Sequence, residues 1–226
     1  MVKPKLVALL PMKAHSERVP GKNFRLLGRK PLYAWMLDTL LAIESIDAVV
    51  INTDALASLG ADERLRQPRV VLRERATALC GDFVSMNLII ADDIAAVPAD
   101  SYLMTHVTNP FLSAATIRAA VGTFHAGLGL DGADSLFTVT RHQTRFYRAD
   151  GSAINHDPAN LIRTQDLEPW FEENSCMYLF SAASFAHTLA RIGSKPILFP
   201  IPKREAIDID NQDDWSVAAL LAAGMV

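Results

Sequence analysis

Cysteine is scarce in this chain: Cys80 and Cys176 are the only two among 226 residues. Two thiols so far apart make neither a disulfide framework nor a zinc-type ligand set, so a reducing, cytoplasmic setting is expected. Glycine and proline are also few, 11 and 12, and follow no period, which excludes collagen-like and low-complexity classes. No apolar run approaches the ~18 residues that span a bilayer. The apolar stretch 6–12 contains Pro11 and runs into Lys13 with no plausible cleavage site, so it reads as a buried strand and not a signal peptide. Net charge is only −3, which speaks against general nucleic-acid binding. What remains is 50% hydrophobic and 21% charged, the makeup of one domain over 1–226 that can bury its own core.

The small net charge hides a local imbalance. Residues 13–30 hold Lys13, Arg18, Lys22, Arg25, Arg29 and Lys30 against Glu17 alone. A cationic segment in an acidic chain is either a solvated loop or an anion site. Position favours the second. The segment follows the strand-like run KLVALLP directly, and loops leaving parallel strands are where α/β proteins bind ligands.

Strand and helix patterns alternate along the chain. Strands are expected at 6–10, 48–51, 70–72, 101–107, 135–140, 176–180 and 196–201. Helices are expected at 32–43, 84–97 (capped by Asp82 or Ser85), 114–125 (capped by Ser113), 182–192 and 211–223. Repeated β-then-α units imply an α/β fold with a mostly parallel sheet covered by helices on both faces. Residues 141–174 break the pattern. They are polar and turn-rich, and read as an inserted arm containing a hairpin.

Near the C-terminus, Asp208 and Asp210 stand at i and i+2. An extended segment points both carboxylates to one side, where they repel unless a cation lies between them. Hard oxygen ligands suit Mg²⁺ bridging to substrate phosphates. The plainer alternative is that Asp210 caps the final helix; Asp213 and Asp214 serve that helix's dipole in its first turn. A basic loop plus paired carboxylates on an α/β sheet form a constellation for nucleotide phosphate chemistry.

These residues also resemble a known family. Residues 10–23, LPMKAHSERVPGKN, are similar to the P-A-R-x-x-S-x-x-x-P-x-K-N opening of the acylneuraminate cytidylyltransferases. RATALCGD at 75–82 resembles their R-x-x-x-L-x-x-D segment, TNP at 108–110 their T-S-P, and RTQD at 163–166 their R-x-Q. Glu173 through Tyr178 resembles E-N-G-x-x-Y, and the closing IDIDNQDDW resembles their metal motif. The resemblance implies a three-layer, Rossmann-like nucleotidyltransferase that condenses CTP with a 2-keto sugar acid and releases pyrophosphate. It implies that Lys13, Ser16 and Lys22 face the triphosphate, that Asn23, Arg75 and Ser85 help hold the nucleotide, and that Asp208 and Asp210 hold Mg²⁺. It also implies a homodimer in which the arm 141–174 carries Arg163, and with it Gln165, to the partner's site. Lys13, Lys22 and Arg163 are then the catalytic cations.

The departures from the family pattern are specific. Lys13 stands where the family has Arg, a point charge in place of a bidentate fork. His106 stands where the family has a Gln facing the sugar acid, and reads either as an acceptor-binding residue or as a satisfied strand-end histidine. Ser175 replaces the Gly of E-N-G, a change expected to matter little. Two rival readings remain: a GT-A type glycosyltransferase, because Asp208-Ile209-Asp210 is also D-x-D, and a non-catalytic nucleotide-binding homologue.

Overall fold

The computed structural model describes residues 5–224 except 61 and 131. The first strand, β1 (Leu6–Leu9), is buried along its whole length. Its residues alternate between two cores: Leu6 and Ala8 join one cluster, Val7 and Leu9 the other. That is why the run is continuously apolar, since both faces of the strand are covered. Burying each of its Leu and Val side chains contributes about 1.5–3 kcal/mol.

A short hairpin, β2 (Leu26–Leu27) with β3 (Lys30–Pro31), leads into α1 (Leu32–Leu41). Then follow β4 (Ala48–Thr53), β5 (Val70–Glu74), α2 (Met86–Ala96), β6 (Ser101–Thr105) and α3 (Ala114–Leu130). The chain closes with β7 (Ser135–His142), β8 (Trp170–Ser181), α4 (Ala182–Thr188), β9 (Pro196–Pro200) and α5 (Gln212–Ala223). Seven strands form one sheet in the order β5-β4-β1-β6-β8-β7-β9. β8 runs antiparallel to β6 and β7; the other pairings are parallel. Helices α1 and α3 pack on one face, α2 and α4 on the other. The expected mostly parallel three-layer α/β fold is what forms.

Several local differences have physical causes. Helix α3 runs to Leu130 and not 125, through Gly127, where a Cβ would meet the Ile197 side chain at 2.5 Å. Glycine there permits the close approach of helix to sheet. Helix α4 stops at Thr188, short of 192, because Leu189 turns left-handed at φ 53. Ser113 caps α3 as expected, its Oγ accepting from Thr116 N at 3.1 Å.

The two ends of the arm are strand. Val139 to His142 pair with Glu173 to Trp170, extending the β7–β8 ladder outward. Between 143 and 169 the chain makes only the bridge Tyr147–Ala153 and a short turn at Thr164–Asp166.

Candidate active site

The chain leaves β1 for one side of the sheet (β4, β5) and returns to the other (β6). The crevice at such a reversal, outside the strands' carboxyl ends, is where open α/β sheets bind ligands. Here it is a cavity of about 220 Å³, lined by residues after β1 (Lys13, Arg18, Lys22), after β6 (His106, Thr108) and by Asp210. A second cavity of about 250 Å³ shares Lys13, Arg18 and Lys22 and adds Ser16 and Asp82, so the two form one cleft. Two larger cavities, about 360 and 370 Å³, lie by the end of α5 and against the β7–β8 extension. Neither gathers these cations.

Part of the basic segment is built into the fold, while Arg18, Arg25 and Arg29 stay exposed. Lys22 is only 11% exposed in its side chain. It donates to the Ile209 carbonyl and lies 3.9 Å from Asp210 Oδ1. Burial lowers its pKa, with Arg18 and Lys13 adding repulsion and Asp210 and Asp208 opposing. Arg18 donates to Asp210 Oδ1 at 2.9 Å. Lys13 pairs with Asp82, whose carboxyl the ammonium holds below the usual range. Arg18 was legible as part of the basic segment, but its approach to Asp210 is purely tertiary.

Asp208 and Asp210 flank Ile209, which is fully buried against Trp215 and Ala218 of α5. The segment is hung on the loop after β6: Ile209 N donates to Thr108 O at 2.9 Å, and Asn109 Nδ2 to Ile207 O at 3.3 Å. Asp210 is not the helix cap. Asn211 is, its side chain accepting from Asp213 and Asp214 N, while Asp214 Oδ2 accepts from Asp210 and Asn211 N. Both carboxylates are therefore free of capping duty. Burial raises the Asp208 pKa, Asp210 adds repulsion, and a hydrogen bond from Thr108 opposes the shift. Asp208 Oδ1 is buried with no hydrogen-bond partner. An orphaned buried carboxylate oxygen beside a second carboxylate fits a hard cation. Among the described residues no three His, Cys, Asp or Glu side chains gather as a complete metal cage.

Other expected site residues divide. Arg75 lines the cleft, but its guanidinium is largely spent inside: it donates to Asn52 Oδ1 (2.9 Å), Asn52 O (2.9 Å) and Met12 O (3.0 Å). It therefore fixes the chain leaving β1 to β4. Asn23 does similar service through Lys13 O at 2.8 Å, while its buried Oδ1 has no partner. Ser16 lines the outer part of the cleft. Ser85 caps α2, accepting from Asn87 N at 3.3 Å; its neighbour Met86, not Ser85, lines the cavity. His106 lines the cavity too, and its pKa falls to about 4, through burial first and then repulsion from Arg191 and Lys22. It is a neutral imidazole at pH 7. Arg163 and Gln165 stay on the arm, outside this chain's cleft. Arg163 is exposed and forks onto Asp166 at 2.7 and 3.0 Å, and the Gln165 carbonyl is held by Gln143.

A cationic loop after the first strand, with two carboxylates beside it at the sheet's switch point, is the layout of a nucleotidyltransferase. The chain belongs to the cytidylyltransferase family, whose model matches residues 7–196. It is 28% identical over 231 residues to the CMP-N,N'-diacetyllegionaminic acid synthase of Legionella pneumophila, with 96% of each chain covered. It is 25% identical over 227 residues to the N-acylneuraminate cytidylyltransferase of Escherichia coli, covering 95% of this chain and 51% of that one, so it spans about half of that relative. Among solved structures, a CMP:2-keto-3-deoxy-manno-octonic acid synthetase complexed with CTP superposes with a TM-score of 0.66 at 13% identity, over 98% of this chain and 100% of that one. The 4-diphosphocytidyl-2C-methyl-D-erythritol synthase of Anaerococcus prevotii gives the same score and identity, over 97% and 96%. Those two likenesses establish the fold. Membership of this family removes the glycosyltransferase reading of Asp208-Ile209-Asp210.

Proposed function

We propose that the chain condenses CTP with a 2-keto-3-deoxy sugar acid of the acylneuraminate type, giving a CMP-sugar and pyrophosphate. The observation that carries this reading is the charge layout of one cleft: Lys13, Arg18 and Lys22 beside Asp208 and Asp210. The printed names of the relatives support the substrate pair.

In the free protein each cation leans on an acid: Lys13 on Asp82, Arg18 on Asp210. A triphosphate would exchange those partners, drawing the cations to phosphate oxygens and releasing Asp210. Asp208 and Asp210 would then hold Mg²⁺. When bound, the ion supplies neutralisation of phosphate charge. The acceptor's anomeric hydroxyl oxygen attacks the α-phosphorus, the bond to the bridging oxygen of the β-phosphate breaks, and pyrophosphate leaves. The chain's part is alignment and charge: Lys13 and Lys22 stabilise negative charge on the departing pyrophosphate. Neutral His106 offers a nitrogen lone pair to the acceptor hydroxyl, whose proton passes to solvent. The arm of a second copy would bring Arg163 and Gln165 to the acceptor, making the working unit a homodimer. No helix among the described residues is long and apolar enough to cross a membrane, and both cysteines are free thiols; a cytoplasmic enzyme is part of the proposal.

The test is pyrophosphate release with CTP, Mg²⁺ and a panel of N-acylneuraminate, legionaminate, pseudaminate and 3-deoxy-manno-octulosonate. Acceptor-dependent release with one of them is expected. A protein that binds CTP and releases nothing with any acceptor would be the non-catalytic homologue.

A further inference from the structure

A polar seam interrupts the sheet face under α2. Strand alternation sends Val50 and Asn52 of β4 to that face, and the register sets Arg73 of β5 beside Asn52, with Arg75 two residues further on. Val50 joins the apolar cluster of Val7, Leu9 and Ile90. Asn52, two residues nearer the strand's carboxyl end, is fully buried yet polar. Another valine would serve packing alone, and a buried amide is unfavourable unless its donors and acceptor find partners.

Asn52 finds them at both ends. Its Nδ2 donates to Asp93 Oδ1 at 2.8 Å and to Asp92 Oδ2 at 3.4 Å, both on α2. Asp93 is itself fully buried, and Arg73 pairs with both acids. At the other end Asn52 Oδ1 accepts from Arg75 Nε at 2.9 Å. Carboxylates accept and a guanidinium only donates, so the amide can lie only one way round. Arg75 is thereby held along one edge, with Nε on the Asn52 side chain and Nη2 on the backbone oxygens of Asn52 and Met12. The two backbone bonds share one nitrogen and leave the guanidinium free to pivot about it; the Asn52 bond is the second point that stops the pivot. Among the described residues nothing accepts from Nη1. That nitrogen is what remains for the cavity that Arg75 lines. Met12 precedes Lys13, so Nη1 is presented on the side of the cleft that carries the cationic loop.

Resting on the cytidylyltransferase reading above, we propose that Asn52 is a positioning residue: braced by Asp93, it fixes the plane of Arg75 so that Nη1 donates to the bound CTP. Asn52 and Asp93 touch no substrate themselves. Their effect is preorganisation, since a guanidinium already aimed loses less freedom when the nucleotide arrives.

The experiment is a double-mutant cycle of Asn52→Leu and Arg75→Ala in the whole protein, read by calorimetry with Mg²⁺ and α,β-methylene CTP. Leucine is close to asparagine in shape and has neither donor nor acceptor. Asn52→Leu alone should weaken the analogue about tenfold, as expected for a hydrogen bond to a charged group. In the Arg75→Ala background it should cost less than about twofold more, because no guanidinium is left to aim. Exchanging the pair, Asn52→Asp with Asp93→Asn, keeps one donor facing one acceptor and should recover most of the affinity. An Asn52 that serves packing alone would cost the same in both backgrounds, which overturns the proposal. So does an exchanged pair no better than Asn52→Leu, or an Arg75→Ala protein that binds the analogue as wild type does. Should Asn52→Leu fail to fold, Asn52→Ser, too short to reach both partners, takes its place in the cycle. A wild type that does not bind the analogue overturns the cytidylyl-transfer reading itself.

Discussion

At the scale of single residues, two titratable groups make the account testable. Asp208 is half-buried beside Asp210 and its buried Oδ1 has no partner, so its charge is unfavourable in the metal-free protein. Asp208→Asn should abolish most turnover yet raise the metal-free thermal midpoint by a few degrees, since about 1 kcal/mol corresponds to 2–4 °C at this size. Near-normal Mg²⁺-dependent activity in this variant would remove Asp208 from the site. His106 gives a pH prediction. Its folded pKa is about 4, while the unfolded chain binds a proton near the ordinary value of about 6.5. Its contribution to stability is therefore fully present above about 6.5 and is lost as pH falls toward 4, with a size on the order of 1–3 kcal/mol. The thermal midpoint of His106→Gln should fall less between pH 7 and pH 5 than that of wild type; an equal fall contradicts the assignment. Much of this site was legible in the chain itself. The cations of residues 13–30 and the Asp208, Asp210 pair are local patterns, and the cleft gathers Lys13, Lys22 and Asp210. The contacts of Arg191 with Tyr178 and Asn87 were not legible, because only packing brings these residues together. Arg75 and Ser85 divide: Arg75 lines the cleft while bonding to Asn52 and Met12, and Ser85 caps α2.

At the scale of elements, the β7–β8 pair is the part that patterning read least well. Its outward extension, 170–174, lies inside the segment 141–174 that the sequence presents as an inserted arm, yet it belongs to β8. It is exposed on its solvent side and held by the ladder to residues 139–142. The register shifts between Phe137 and Val139, and the bulged segment opposite places Ser175 at φ 58. The Gly-to-Ser departure expected to matter little thus falls where glycine is the unstrained choice. Ser tolerates the position with help from a 3.2 Å hydrogen bond between its Oγ and the Tyr178 hydroxyl. A β-branched residue there is a genuine outlier. Ser175→Val should destabilise by about 1–3 kcal/mol, and Ser175→Gly by far less, in denaturant unfolding. Equal losses would mean that the bulge is not held in the left-handed conformation. The buried strands β1 and β4 are legible by contrast, since continuous apolar runs rich in Val, Leu and Ile have few other fates.

At the scale of the whole molecule, the arm decides whether one chain suffices. Residues 143–169 have almost no regular pairing, and Tyr147, Leu161, Trp170 and Phe171 are exposed on the arm and its base. Aromatic and aliphatic surface of this kind is enriched where copies meet. Light scattering should report about twice 24.7 kDa. Mixing Arg163→Ala with Asp208→Asn protein should restore partial activity, because one shared site of the heterodimer then has both residues. A monomer, or no rescue despite subunit exchange, would confine Arg163 to its present pairing with Asp166. The central claim, attack of a sugar acid on the α-phosphorus of CTP, is reached most directly by ³¹P NMR of the reaction with Mg²⁺ and an accepted sugar acid. The account predicts one phosphodiester resonance from the CMP-sugar and pyrophosphate in equal molar amount, both absent when acceptor is omitted. CTP left intact, or split to CDP and phosphate, would contradict it.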